Sequence, residues 1–252
     1  MVSPRADTKP RRKSPGRQSK DGADGPRHAL VIVAHPDDAE FLCGATVARW
    51  CAEGWTVDYV LTTSGDMGSK EEGMTREKLL AIREKEQRAA ATALGVRECV
   101  FLRYPDGYVE DTVEMRGRLV REIRRLKPDL VVTWDPFRRG FNHRDHRLTG
   151  QAALDAVYPL ARNPLGYPEH LEEGLEIHRV NEVLLAGTDQ ADYYVDVSKF
   201  LDKKIEALQE HKSQIGDAPT KGLQKRLRAR MAEVGKQPGY KLAEAFRRLT
   251  WG

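Results

Sequence analysis

Two short stretches of this chain hold residues that could do chemistry together. Ala34-His35-Pro36-Asp37-Asp38-Ala39-Glu40 offers an imidazole and two carboxylates, and His143-Arg144-Asp145-His146 offers two imidazoles around a third carboxylate. His35 and Asp38 are three residues apart, a spacing that lets both converge on one ion across a strand-to-helix turn. Two imidazoles and one carboxylate, His35, Asp38 and His146, with one position left open, match a catalytic zinc site rather than a closed structural one. A zinc ion so held lowers the pKa of its water to about 7. Attack on a carbonyl then needs a base, and Asp37, adjacent to a ligand but not needed for the metal, is placed for it. His143, held by Asp145 or another carboxylate, can serve as an imidazolium that meets the developing oxyanion or protonates a departing amine. The same donors accept Fe(II) or Co, and Fe(II) in such a set does oxygen chemistry. The additional Asp37 and His143 suit hydrolysis better.

A plainer reading of His35-Pro36-Asp37-Asp38 is a turn, with proline fixing φ and the aspartates capping a helix. The second cluster counts against it, because each cluster follows an apolar strand. Ala29-Leu30-Val31-Ile32-Val33 and Leu130-Val131-Val132-Thr133-Trp134 read as strands of a parallel sheet buried on both faces. In open α/β sheets ligands sit beyond the carboxyl ends of the strands, and both clusters fall there.

Strand and helix signals alternate from Arg27 onward, as βαβ units require. Strand 29–34 leads to a helix from about Ala39; strand 55–62 ends in a polar, glycine-bearing loop; helix 75–94 stops at Gly95. Strand 99–102 precedes the turn Tyr104-Pro105-Asp106-Gly107, and Asp111 with Glu114 form a capping pair for helix 112–127. After strand 130–134 come a helix over 147–158, strands 180–185 and 193–197 read as an antiparallel pair at the sheet edge, and helix 199–212. Amphipathic segments near 220–234 and 240–249 follow. No Gly-x-Gly-x-x-Gly follows the first strand, which argues against a dinucleotide-binding enzyme.

The 252 residues, 40% hydrophobic and 32% charged, suffice for one α/β domain with a large core. No stretch approaches the ~20 apolar residues of a membrane helix, and no signal-peptide core is present. Three cysteines, Cys43, Cys51 and Cys99, cannot all pair, and none has structural-zinc spacing; reduced thiols point to the cytoplasm. Residues 1–27 carry eight Lys/Arg against three Asp, more than the whole chain's net +4, so the remainder is slightly acidic. That leader, rich in Pro, Gly, Ser and Lys, is expected to be disordered, and with the basic charge confined to it a nucleic-acid partner is not expected.

These residues also carry a family resemblance. The pair Ala34-His35-Pro36-Asp37-Asp38 and His143-Arg144-Asp145-His146 resembles the signatures of the LmbE-like, PIG-L-type zinc de-N-acetylases. Thr63-Ser64-Gly65-Asp66, Ile82-Arg83-Glu84-Lys85-Glu86, Pro105-Asp106-Gly107, His211-Lys212-Ser213-Gln214 and Ala243-Glu244-Ala245-Phe246-Arg247 extend the likeness over about residues 28 to 250. The resemblance implies a single Rossmann-like α/β domain over 28–252, a mostly parallel twisted sheet with helices on both faces. It implies one catalytic Zn²⁺ on His35, Asp38 and His146, Asp37 as base, His143 as oxyanion partner and Asp145 orienting it. The expected reaction removes the acetyl group from an N-acetylglucosamine-type conjugate. A metal-dependent amidase on a non-sugar N-acyl group, or an inactive zinc-binding interaction protein, is the alternative. Arg83 matches the family arginine that contacts the sugar, and its plain reading is an exposed helical arginine paired with Glu86 or Gln87. Asp66 stands where the family often has Glu in a sugar-contacting loop. His211 reads as a packing residue. The residues leave the oligomeric state open; the resemblance allows a homo-oligomer, since relatives form hexamers.

Overall fold

Five consecutive aliphatic residues must be buried on both sides, and in the computed structural model they are. Ala29, Val31 and Val33 pack into the core on one face of a sheet, Leu30 and Ile32 into the core on the other. The structure describes residues 27–140, 142–216 and 221–251; the basic leader 1–27 lies outside them except for Arg27.

The elements are β1 (His28–Val33), α1 (Asp38–Ala52), β2 (Thr56–Thr63), α2 (Arg76–Leu94), β3 (Glu98–Tyr104), α3 (Val113–Leu126), β4 (Leu130–Trp134) and α4 (Arg144–Asp155). A π-helical turn, Ala156–Leu160, extends α4. Then follow α5 (Glu169–Glu172), β5 (Glu182–Ala186), β6 (Tyr193–Asp196), α6 (Leu201–Gln209), α7 (Lys212–Ile215), α8 (Lys221–Gly235) and β7 (Ala243–Thr250). The sheet runs β3-β2-β1-β4-β5-β7-β6. Its first five strands are parallel, and β7 is antiparallel to both neighbours. Helices α1, α2, α6 and α8 cover one face; α3 and α4 cover the other. Among the described residues no helix is long and apolar enough to cross a membrane, and the three cysteines are free.

Two local expectations are corrected. The strands near 180–185 and 193–197 do not pair with each other, because the segment near 240–249 enters between them as β7 and bonds to both. It thereby covers the edge that β5 would otherwise expose. The cap of α3 is Thr112, whose Oγ1 accepts the Met115 N–H at 3.1 Å; Asp111 pairs with Arg116 instead.

Helix α1 is broken at Cys43 (φ −141°, ψ 17°), and the groups released there find buried partners. Glu244 of β7 accepts the N–H groups of Ala45 and Thr46 at 3.3 and 2.7 Å. Lys204 of α6 donates to the Phe41 carbonyl at 2.8 Å and to Glu244 at 2.6 Å. A kink with polar side chains inserted into its ladder has an identifiable cause. Breaking a buried pair by removing one partner costs about 3–5 kcal/mol, so Lys204→Met should lose about that much in urea unfolding. A loss under about 1 kcal/mol would mean the backbone donors hold Glu244 unaided.

Candidate metal centre

The two clusters meet at the carboxyl ends of β1 and β4, adjacent central strands whose onward connections run to opposite edges of the sheet. His35 Nδ1 lies 3.2 Å from His146 Nε2, and His146 Nε2 lies 3.2 Å from Asp38 Oδ1. His35 Nδ1 lies 3.5 Å from Asp38 Oδ2. Donors held at about 2.0–2.1 Å from a tetrahedral ion sit about 3.3 Å from one another. Both contacts of His146 Nε2 match that spacing, and His35 meets Asp38 at its other oxygen, so the three side chains converge as candidate ligands.

Asp38 is prepared for this by its other oxygen. Oδ2 accepts the N–H groups of Ala34, His35 and the Trp134 indole at 3.2, 2.9 and 3.0 Å, which leaves Oδ1 turned to His146. Burial would raise the Asp38 pKa, but His146 and His35 hold it well below the carboxylate range. Trp134 also stacks on the His146 ring, 3.8 Å between centroids at 8°. One indole thus orients two of the candidate ligands.

The far nitrogen of His35 is held as well. Nε2 lies 3.1 Å from Asp106 Oδ1 and 3.2 Å from Asp145 Oδ2. Carboxylates behind a ligating imidazole fix its tautomer and raise its basicity. Burial opposes protonation of His35, yet Asp106, Asp145 and Asp38 together push its pKa up to about 12. So concentrated a negative field is what a divalent cation would neutralise. Among the described residues two groups have donor atoms close enough together to hold an ion: His35 with His143 and His146, and His35 with Asp106 and Asp145. Their carboxylates face Nε2, however, and Asp145 already accepts the Gly107 N–H at 2.7 Å.

Asp145 differs from its expected role. Its carboxylate serves His35 and the Gly107 and Val109 amides, whereas its own backbone N–H donates to His143 Nδ1 at 3.2 Å. The reason is its place in the first turn of α4, where the preceding His143 acts as the cap. A ring that accepts at Nδ1 carries its proton on Nε2. Burial and the neighbouring His35 and His146 lower the His143 pKa. Its centroid lies 5.0 Å from those of His35 and His146.

Asp37 occupies a left-handed conformation, φ 93° and ψ −24°, which costs a non-glycine residue about 1–3 kcal/mol. Its N–H donates to Gln87 Oε1 at 2.9 Å. Burial and the Asp38 charge push its carboxyl pKa up to about 7. Arg83 lies beneath it, 4% exposed, so it is not the exposed arginine of the plain reading. Its Nη2 donates to the Pro36 carbonyl at 2.6 Å and lies 3.4 Å from Asp37 Oδ2, while Nη1 donates to the Gly65 carbonyl at 3.0 Å. A Cβ on Gly65 would stand 2.2 Å from Nη1, and one on Gly68 2.6 Å, which is why glycine occupies both positions of this loop. Asp66 has both oxygens engaged, with Arg76 at 2.7 Å and the Asp106 N–H at 3.0 Å. His211 is fully buried against Glu40 at 3.2 Å.

Trp134, Asp106 and Gln87 were not among the expected site residues. Asp106 shares the strand-end position of His35, on β3, and Gln87 lies one helical turn beyond Arg83 on the same face. Trp134 carries no comparable signal, since a tryptophan closing a buried strand reads as core.

Fold and donors together define a single α/β domain with a cluster of His and Asp side chains at its switch point that could hold a metal ion. The chain belongs to the PIG-L (GlcNAc-PI de-N-acetylase) family, whose model matches residues 30–157, a span that contains every residue of the constellation. It is 30% identical to diacetylchitobiose deacetylase of Thermococcus kodakarensis, covering 88% of this chain and 82% of that one. It is 31% identical to a probable N-acetyl-alpha-D-glucosaminyl L-malate deacetylase 2 of Bacillus anthracis, covering 77% and 84%. The structure of N,N'-diacetylchitobiose deacetylase from Pyrococcus horikoshii superposes with a TM-score of 0.84 at 31% identity, covering 89% of this chain and 84% of that one.

Partners behind a metal ligand are worth about 10–100-fold in affinity. Trp134→Phe keeps the ring on His146 and removes the donor to Asp38, so zinc affinity should fall by about tenfold or more in competition with a chromophoric chelator. Unchanged affinity would remove Trp134 from this role.

Proposed function

We propose that this chain is a zinc-dependent hydrolase that removes the N-acetyl group of an N-acetylglucosamine-type conjugate, giving acetate and a free amine. The observation that carries the reading is the convergence of His35, Asp38 and His146 donors beside a carboxyl group, Asp37, that none of them uses. Relatives named as deacetylases of such conjugates support it. His35, Asp38 and His146 would hold one zinc ion, which would supply a Lewis acid and a water acidic near neutral pH.

Asp37 accepts the proton as water adds to the acetamide carbon. It returns that proton to nitrogen as the C–N bond breaks. His143 donates its Nε2–H to the carbonyl oxygen as charge gathers there. Asp106 and Asp145 keep His35 from turning. Arg83 and Asp66 hold the walls against which the sugar lies, by fixing the loop over residues 65–68 and joining it to the Asp106 turn.

General acid–base groups contribute about 10²–10⁴-fold. In zinc-loaded protein Asp37→Ala should lose about that much kcat for acetate release from diacetylchitobiose while retaining its zinc. Turnover by the variant at the wild-type rate would sink the assignment. Stripping with a chelator should abolish release, and added zinc should restore it; activity that survives stripping would overturn the metal's part. A panel pairing N-acetylglucosamine conjugates with non-sugar N-acyl amines tests the substrate class. Preference for the latter would favour the amidase alternative.

A further inference from the structure

Asp37 is held from behind by a buried chain of side chains that the reaction itself does not use. Gln87 Oε1 accepts the Asp37 N–H at 2.9 Å. Gln87 Nε2 donates to Glu40 Oε1 at 3.0 Å, and Glu40 Oε2 meets His211 Nε2 at 3.2 Å. Gln87, Glu40 and His211 are each 0% exposed. The direction of the chain follows from its ends. A backbone N–H can only donate, so Gln87 must turn its oxygen to Asp37 and its amino group to Glu40.

We propose that Gln87 is a positioning residue, set in orientation by Glu40 and His211, that keeps Asp37 in its left-handed conformation and so aims its carboxyl group at the reacting centre. The proposal rests on the reading of Asp37 as the base. A residue with φ of 93° persists only when its surroundings over-determine it, and the Asp37 peptide is bonded on both sides. Arg83 takes the Pro36 carbonyl before it, and Gln87 takes its own N–H. Neither side chain of the Glu40–His211 pair reaches solvent, so the orientation of the Gln87 amide is set inside the protein.

Three zinc-loaded variants test this with diacetylchitobiose. Gln87→Met keeps the volume and removes the acceptor. It should lower kcat about tenfold or more, in line with the cost of a misplaced catalytic group, with KM and zinc affinity unchanged and faster hydrogen exchange at the Asp37 amide. The exchanged pair Glu40→Gln with Gln87→Glu restores every donor and acceptor in the chain. The carboxylate then at position 87 would accept from the Asp37 N–H and from the side-chain amide at position 40, whose oxygen would accept from His211. The pair should keep kcat within about threefold of wild type, whereas Gln87→Glu alone sets two carboxyl groups against each other and should not. Wild-type kcat in folded Gln87→Met would overturn the proposal. So would an exchanged pair that falls to the Gln87→Met level while Tm is retained, or loss of fold in both, since the chain would then serve stability rather than Asp37. If wild-type protein releases acetate and Asp37→Ala does not, the base assignment stands whatever these variants do. If wild-type protein releases none, it is the functional reading that fails.

Discussion

The site depends on an unequal division of one carboxylate. Asp38 gives one oxygen to three N–H donors and has the other left for a cation and His146. Two of those donors are amides of the turn that carries Asp38 itself, and the third is the indole at the end of β4. A buried charge is tolerated when it accepts several hydrogen bonds, and here the same bonds join the first strand to the fourth. His146 is then placed by stacking on the indole. Segments more than a hundred residues apart are brought to one point by a single acceptor.

Around that point negative charge is concentrated. Asp38, Asp106 and Asp145 surround His35, and Asp37 lies beside Arg83, a fixed cation. The two carboxylates behind His35 belong to different loops, one following β3 and one opening α4. They also bind Met67, Gly107 and Val109 amides. The loops that would enclose a substrate are thereby tied to the candidate ligand, so pocket shape and metal geometry are set by shared bonds.

The candidate ligands and the proposed base were legible because residue type and position agreed: histidine and aspartate at the ends of aliphatic runs have few structural uses. The parallel sheet was legible for the same reason, since five apolar residues in succession admit no exposed face. What stayed hidden depends on the pairing of distant strands. Asp106 reaches His35 only because β3 and β1 flank β2, and Trp134 reaches Asp38 only in the β1–β4 register. Asp145 sits two residues from His143, so local pairing looked natural, but the helix start turns its carboxylate to His35. Arg83, in a helix dense with charge, could be read as a sugar contact or as an exposed residue; two glycines in a separate loop make room for its burial. The last strand was the least legible, because its slot exists only once β5 and β6 are in place.

That strand bears on how the protein can be assembled. The acceptor for the amides released by the break in α1 arrives 198 residues after Thr46, and Lys204 reaches the same helix across 163 residues. Without β7 the Ala45 and Thr46 amides of the first helix would lack this acceptor. Residues 30–157 hold the whole constellation, but cut out on their own they would lack Lys204 and Glu244. The segment that carries the candidate ligands is thus completed by residues that lie beyond it.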